Sequence, residues 1–406
     1  MNKVNSYILI SLTYFFIAAF VGLILRLFPI TNLNATYKFI VHTHSHIALL
    51  GWIYVALTSL IYHLGIANKV KKKYTLLFWT TQLTIIGMLF TFPFIGYALY
   101  SIVFSTLFLI CSYWFYYFFK KNNHFNSKSI SYKFITTSLV FMIFSSIGPW
   151  SLGVIMNTLG STSHWYKNAI YFYLHFQYNG WFIFCLIGLF YYILEEKRIR
   201  FSIPKALLFY KLMLLSCILT LFLSFLWINP PKIIYAIAAF GALLQLFTVY
   251  IFYNQIKKNY IEIKNIFGQS SSRLLLFVFI LCILKITLQA LTSLPYFANL
   301  TTYILDFVIG YLHLIFLGVV TLALLLFLGY FKLIKIPAFW LKTYLIGFIS
   351  SEALIFYKGF CTWQQLTVPE NYFLFLVICS ALIPVGILGI LINNLFPNYF
   401  SLTRFL

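Results

Sequence analysis

Three histidines stand close together in an otherwise apolar stretch, VHTHSHIALLGW, at residues 41–52. His42 and His46 are four residues apart and share one face of a helix, whereas His44 points nearly the opposite way. Neutral imidazole binds iron, copper and zinc, so these residues indicate a metal or cofactor site without choosing the metal. We expect one face to provide a metal ligand and a second polar group one turn away. His44 is expected to serve a different pocket or to hydrogen-bond a neighbouring helix.

The histidine pattern recurs twice more along the chain. His46 begins HIALLGW, His175 begins HFQYNGW and His313 begins HLIFLGV, so a glycine follows each histidine five residues later. Burying an ionisable residue in a membrane span costs at least a few kcal/mol, which makes such a residue a functional candidate. The glycine gives a flat patch where a large planar ligand or another helix can come close. The structural alternative is that these histidines only hydrogen-bond across helices.

The composition is typical of a multi-span membrane protein. The chain is 62% hydrophobic and 8% charged, with a mean hydropathy of +0.94, which excludes an ordinary soluble domain. Apolar runs of about twenty residues or more are long enough to cross a bilayer. The predicted spans are 6–28, 38–66, 74–93, 96–119, 132–157, 168–194, 204–228, 232–253, 273–294, 302–331, 337–357 and 372–396. The sequence therefore predicts an all-α integral membrane protein with about twelve transmembrane helices.

The net charge of +22 does not indicate nucleic-acid binding, because the cations lie in short loops between apolar runs and not in a basic domain. Lysine and arginine concentrate in the even-numbered loops, mainly at 67–73, 120–133, 195–205 and 254–273. The positive-inside rule then places both termini in the cytoplasm. We predict a multi-pass protein of the bacterial inner (cytoplasmic) membrane.

The repeated histidines follow the order of the predicted helices. They lie on helices 2, 6 and 10, which is the second helix of each of three successive four-helix units. These pseudo-symmetric units cover about 1–125, 126–258 and 259–406 within a single transmembrane domain. All three helices run from outside to inside, so we expect their histidines to converge in one layer in the outer half of the membrane.

This arrangement resembles subunit I of the haem–copper oxidases, including the nitric-oxide-reductase branch. The resemblance covers nearly the whole chain at the level of topology. The segment HTHSHIALLGW is also similar to the histidine helices of divergent members. NnrS-like haem and copper membrane proteins are a second resemblance. The resemblance implies that His46 and His313 are the axial ligands of a low-spin b-type haem. It also implies that His175 is the first ligand of a copper ion.

The chain departs from that family around the copper site. Helix 7 has no histidine, so the remaining copper ligands are missing. Tyr178 follows the helix-6 histidine by three residues where the family has a tyrosine four residues on, and Tyr311 replaces the first histidine of a helix-10 His-x-His pair. The resemblance therefore implies a single haem, or a haem with an atypical metal held by His175 with His42 or His44.

Charged and amide side chains also occur within the apolar runs. Lys285 and Gln289 lie one turn apart on helix 9, and Glu352 lies within helix 11. A Lys285–Glu352 pair would lower the cost of burying both charges. Alternatively, these three residues support the cofactor or form a proton path together with Tyr178 and Tyr311. Three other amides are expected to hydrogen-bond between helices: Gln82, Gln177 and Gln245.

Three functions are compatible with these features. The first is a haem-binding redox or gas-binding membrane protein, an oxidoreductase of the haem–copper type if it is an enzyme. Its expected partners are the lipid bilayer and an electron donor or other membrane subunits. The second is an NnrS-like, non-enzymatic haem or copper protein that responds to nitric oxide. The third is a secondary transporter whose histidines line a pathway for protons or metal ions.

Overall fold

The computed structural model describes residues 3–66 and 70–396, which are helical almost throughout. Twelve of the described helices are long and apolar enough to cross a membrane, and each overlaps one predicted span. They are α1 Lys3–Leu27, α2 Tyr37–Gly65, α3 Lys71–Ile95, α4 Leu99–Asn122, α5 Ile130–Thr158, α6 His164–Glu196, α7 Ile203–Ile228, α8 Lys232–Lys258, α9 Tyr260–Leu291, α10 Leu305–Tyr330, α11 Ala338–Trp363 and α12 Tyr372–Leu395. The all-α multi-span fold is confirmed. The chain termini and Lys69 lie outside the described residues, so the cytoplasmic termini stay a prediction.

Two glycines with positive φ explain how the chain departs from the predicted span boundaries. Gly96, with φ 57°, reverses the chain between α3 and α4, where the sequence left almost no loop. Gly268, with φ 76°, interrupts α9 between its first eight residues and the span predicted from residue 273. Both values lie where L side chains are strained and glycine is not.

The helices that carry the histidine repeat are the most enclosed of the described spans. In their most apolar stretch, 83% of the residues of α2, 89% of those of α6 and 72% of those of α10 are buried, against 28–50% for the other nine spans. A helix that faces lipid leaves one side exposed, whereas a helix buried all round is surrounded by protein. The most apolar stretches of these three helices are therefore largely enclosed by protein.

The described chain divides into two compact units. The first contains residues 1–124 and 324–406, and the second contains residues 125–323. Within the first unit, α12 packs against α1 and α11, and α3 packs against α4. Within the second unit, α5 packs against α6, α7 packs against α8, and α9 packs against α8 and α10. The division into three four-helix repeats stays a prediction.

A local change of helix type follows each histidine of the repeat. The backbone turns from α-helix to π-helix directly after His46, His175 and His313. The π-helical segments are Ile47–Tyr54, Phe176–Phe182 and Leu314–Thr321. A π-helix has i→i+5 hydrogen bonds and is rare, and it occurs frequently at functional sites. The three copies of the sequence pattern therefore share a local structure as well as a residue order.

The glycines in these π segments allow close packing. A Cβ atom on Gly51 would lie 2.8 Å from the Cβ atom of Tyr14 on α1. A Cβ atom on Gly180 would lie 2.6 Å from the ring of Phe141 on α5. In both places a neighbouring aromatic residue fills the space that a side chain would need. At these two positions the glycine of the repeat serves helix packing.

Candidate functional site

His42 and His46 lie on one face of α2, as predicted, and share two aromatic neighbours. The centre of the Tyr97 ring is 4.6 Å from that of His42 and 5.8 Å from that of His46. The centre of the Phe92 ring is 6.2 Å from that of His42 and 4.4 Å from that of His46. Both aromatic residues come from the end of α3 and the turn that follows it. These four residues all belong to the first unit.

The hydrogen bonds of His46 define the proton position on its ring. Nδ1 lies 2.8 Å from the main-chain oxygen of His42, and Nε2 lies 3.1 Å from the hydroxyl of Tyr97. A carbonyl oxygen only accepts, so Nδ1 carries the proton and Nε2 accepts from the tyrosine. Metal-bound histidines are held in the same way, with one N–H on a carbonyl and the other nitrogen facing the metal.

His46 therefore fits the role of an axial ligand to haem iron. Its Nε2 lone pair is available on condition that the Tyr97 hydroxyl moves aside. Tyr97 is 47% exposed, which leaves its side chain room to move. His46 itself is only partly buried. Within the part of the chain that the structure describes, no comparable hydrogen bond defines the proton position of His42.

His44 faces the opposite side of α2 and contacts α1. Its Nδ1 lies 2.9 Å from the main-chain oxygen of Ala18. A Cβ atom on Gly22 would lie 2.8 Å from the His44 ring, so the ring rests directly on the backbone of α1. Of the two predicted roles for His44, the hydrogen bond to a neighbouring helix is the one observed.

His175 is 2% exposed, and both of its ring nitrogens have partners. Nε2 lies 2.8 Å from the main-chain oxygen of Cys217 on α7, and Nδ1 lies 3.2 Å from the side-chain nitrogen of Asn179. The carbonyl oxygen only accepts, so Nε2 carries the proton and donates it in a hydrogen bond. Nδ1 therefore accepts from the Asn179 amide. Among residues 3–66 and 70–396, no three His, Cys, Asp or Glu side chains are grouped to hold a metal ion. The copper role predicted for His175 with His42 or His44 stays a prediction.

Asn179 connects His175 to a buried lysine, a link that the sequence analysis missed. The ammonium of Lys285 donates to Oδ1 of Asn179 and, at 2.7 Å, to Oε1 of Gln289. Gln289 also accepts from the Tyr311 hydroxyl at 3.0 Å and donates to Oε1 of Gln245 at 3.0 Å. We call Cys217, His175, Asn179, Lys285, Gln289, Gln245 and Tyr311 the Lys285 network. The only sequence signal for Asn179 was its position four residues after the histidine.

The Lys285 network is oriented to hold a positive charge. Both amides that contact Lys285 present their oxygens to Nζ and direct their N–H groups away from it. The Tyr178 ring provides a third favourable contact, with its centre 5.7 Å from Nζ. Lys285 is 2% exposed, and its two hydrogen-bond acceptors are neutral. The charge is therefore stabilised by dipoles and not by a carboxylate of the second unit.

Glu352 has a charged neighbour in its own unit. Arg26, in the last turn of α1, lies near enough to interact electrostatically with this carboxylate. Lys285 likewise has its acceptors within the second unit. Lys285 thus has hydrogen-bond acceptors within its own unit, and the Lys285–Glu352 pair that the sequence suggested stays a prediction.

Two of the three glutamines hydrogen-bond between helices as predicted. Gln177 on α6 donates to Ser145 on α5 at 2.8 Å, and Gln245 on α8 accepts from α9. Gln82 does not follow the prediction, since its amide nitrogen donates to the Phe78 carbonyl of the same helix at 3.3 Å.

The structure forms two candidate sites from the predicted residues. In the first unit it brings His46 together with His42, and in the second it brings His175, Lys285, Gln289, Tyr178 and Tyr311 together. His313 is partly buried and directly precedes a π segment that contacts the π segment of α6.

No protein-family model matches the chain, and no curated protein matches it.

Proposed function

We propose that the chain is a haem-binding membrane protein in which His46 supplies one axial ligand of a b-type haem. The observation that carries the proposal is the geometry of His46, whose Nδ1–H is held by a main-chain carbonyl. This bond fixes the ring orientation and leaves Nε2 as the ligating nitrogen. His313 is proposed as the second axial ligand. That pairing rests on the shared His-x4-Gly pattern and on the π segment that follows both histidines.

The residues around His46 suit a redox or gas-binding role. A haem with two imidazole ligands exchanges single electrons, and its potential depends on ligand identity, burial and nearby hydrogen bonds. The Phe92 ring packs against the His46 ring, with the ring centres 4.4 Å apart. The Tyr97 hydroxyl, which hydrogen-bonds this nitrogen, would compete with the iron for it. The proposal assigns His175 a hydrogen-bonding role. It does not include a copper site.

The optical spectrum of the purified protein tests this proposal. Expression with a haem supply is expected to give a Soret band and sharp visible bands on reduction. A folded, monodisperse protein that lacks a Soret band under these conditions would contradict the proposal. Carbon monoxide added to the reduced protein separates the two roles. An unchanged spectrum indicates two strong axial ligands and electron transfer, whereas a shifted Soret band indicates gas binding of the NnrS-like kind.

A second candidate function is proton-coupled transport, and the Lys285 network favours it. An ammonium buried among neutral amides can lose and regain a proton within the membrane, at a cost that its surroundings set. Of the residues that the sequence suggested for a proton path, Gln289 and Tyr311 belong to this network, and the Tyr178 ring contacts Lys285. In such a protein the network would carry the proton and the histidines would not need a haem.

Proteoliposomes that contain a pH-sensitive dye test the transport candidate. The wild-type protein is expected to move protons when a membrane potential is applied, and Lys285→Met is expected to remove this activity. Lys211→Met is the matched control, because Lys211 also lies within a span, on α7, but is exposed. Equal proton movement in wild type and Lys285→Met would reject a role for Lys285 in transport.

A further inference from the structure

A small cavity lies in the first unit between α2, α3 and α4. Its volume for a water-sized sphere is about 10 Å³. Five of the residues that line it are polar: Tyr54, Thr58, Tyr74, Thr81 and Gln82. A cavity needs roughly 10–15 Å³ by this measure, and two to four polar partners, to hold one water molecule. The cavity therefore has the size of a single water and a polar lining.

Gln82 provides the polar atom that lacks a partner at this cavity. The side chain is 2% exposed, and within the described part of the chain its Oε1 atom accepts no hydrogen bond. Its amide nitrogen is already directed to the Phe78 carbonyl. A buried amide oxygen without a donor is destabilising, so native proteins usually provide a donor or a bound water. The cavity lies where such a water would reach Gln82.

The threonines that line the cavity can accept hydrogen bonds but have no proton left to donate. Thr58 donates its hydroxyl proton to the Tyr54 carbonyl at 2.7 Å, and Thr81 donates to the Leu77 carbonyl at 2.8 Å. Neither hydroxyl can therefore satisfy Gln82 directly. A water molecule has two protons, so it can donate one to Gln82 and one to a threonine oxygen.

We propose that this cavity binds one water molecule, which donates to Oε1 of Gln82 and to the hydroxyl oxygen of Thr58. The water joins α3 to α2 one turn beyond the π segment that follows His46. Thr58 holds the carbonyl of Tyr54, the last residue of that segment. The bound water thereby supports the position of the π segment. This proposal does not depend on haem binding, because all its residues surround a separate cavity.

A double-mutant cycle tests whether one water connects the two helices. Gln82→Leu and Thr58→Val each remove one partner of the water, so each is expected to lower the thermal unfolding midpoint. The double variant is expected to unfold close to the lower of the two single variants, because the water is lost after either change. Additive shifts of the two substitutions would count against a shared water.

Thr84→Val is the matched control for Thr58→Val in this cycle. Thr84 is buried like Thr58, at 2% exposed against 5%, and donates to a main-chain carbonyl of its own helix, that of Thr81 at 2.7 Å, but it does not line the cavity. Its effect is expected to add to that of Gln82→Leu. Coupling of the same size in both cycles would show that the coupling does not report the cavity water.

An electron-density or cryo-electron microscopy map that resolves ordered waters gives a direct second measurement. The map is expected to show a peak within hydrogen-bond distance of Oε1 of Gln82 and Oγ1 of Thr58. The peak should disappear in Thr58→Val while the Gln82 side chain stays visible. A map that shows other buried waters but no peak here would overturn the proposal, as would a Gln82 oxygen bonded to a protein donor.

Discussion

Under the proposed function, the His46→Ala variant is expected to lose the haem that His46 would hold. Alanine cannot coordinate iron, and in His46 the Nδ1–H bond to the His42 carbonyl already orients the ring for ligation. The haem content per protein, measured from the Soret absorbance and by extraction of the haem, is expected to fall to near zero. The expected loss is larger than that of any change outside the axial ligands, because losing a ligand removes a direct bond to the metal.

His63→Ala is the matched control for this variant. His63 lies near the end of the same helix, and its side chain is exposed, so its replacement should leave haem content unchanged. His44→Ala should also retain haem, since His44 hydrogen-bonds the Ala18 carbonyl of α1 and lies on the opposite side of α2 from His46. Full haem content in His46→Ala, or equal losses in all three variants, would remove His46 from the ligand set.

The Asn179→Leu variant is expected to be strongly destabilised. Leucine removes both the acceptor of the Lys285 ammonium and the donor to Nδ1 of His175. A hydrogen bond to a charged group contributes about 1.5–3 kcal/mol, and a buried nitrogen that loses its partner, here Nδ1 of His175, costs about 1–3 kcal/mol more. We expect a large decrease in the thermal unfolding midpoint of the purified protein, measured by intrinsic fluorescence in detergent.

Gln177→Leu provides the comparison for Asn179→Leu. Gln177 lies two residues earlier in the same π segment and is also buried, but among the described residues its hydrogen-bond partner is the neutral Ser145 hydroxyl. Its loss is expected to cost about 1–3 kcal/mol, the usual penalty when a neutral hydrogen-bonding group loses its partner. Equal decreases for the two variants would show that Lys285 does not hold its charge through Asn179.

The number of spans could be predicted because each transmembrane helix satisfies its own backbone hydrogen bonds. Length and hydropathy therefore predict a span without knowledge of its neighbours. The same reasoning explains why His42 and His46 were correctly placed on one face and His44 on another, since helical periodicity is a local property. The first part of α9 was missed because Gly268 separates it from the apolar run.

The partners of the histidines could not be predicted from spacing. Tyr97 reaches His46 because Gly96 reverses the chain between α3 and α4, and the sequence does not show how far that turn carries its side chains. Asn179 reaches Lys285 because α6 and α9 lie side by side with suitable rotations about their axes. These contacts join residues far apart in the chain, so no local pattern predicts them.

By itself, the sequence determined that this is a multi-span membrane protein with a repeated His-x4-Gly pattern on its second, sixth and tenth helices. Only the tertiary structure decided how two of these histidines are used. It places Nε2 of His46 against the Tyr97 hydroxyl, and it gives both ring nitrogens of His175 hydrogen-bond partners within the second unit. The physical reason is that burial and hydrogen-bond partners depend on how helices pack, and packing joins side chains that the chain order keeps apart.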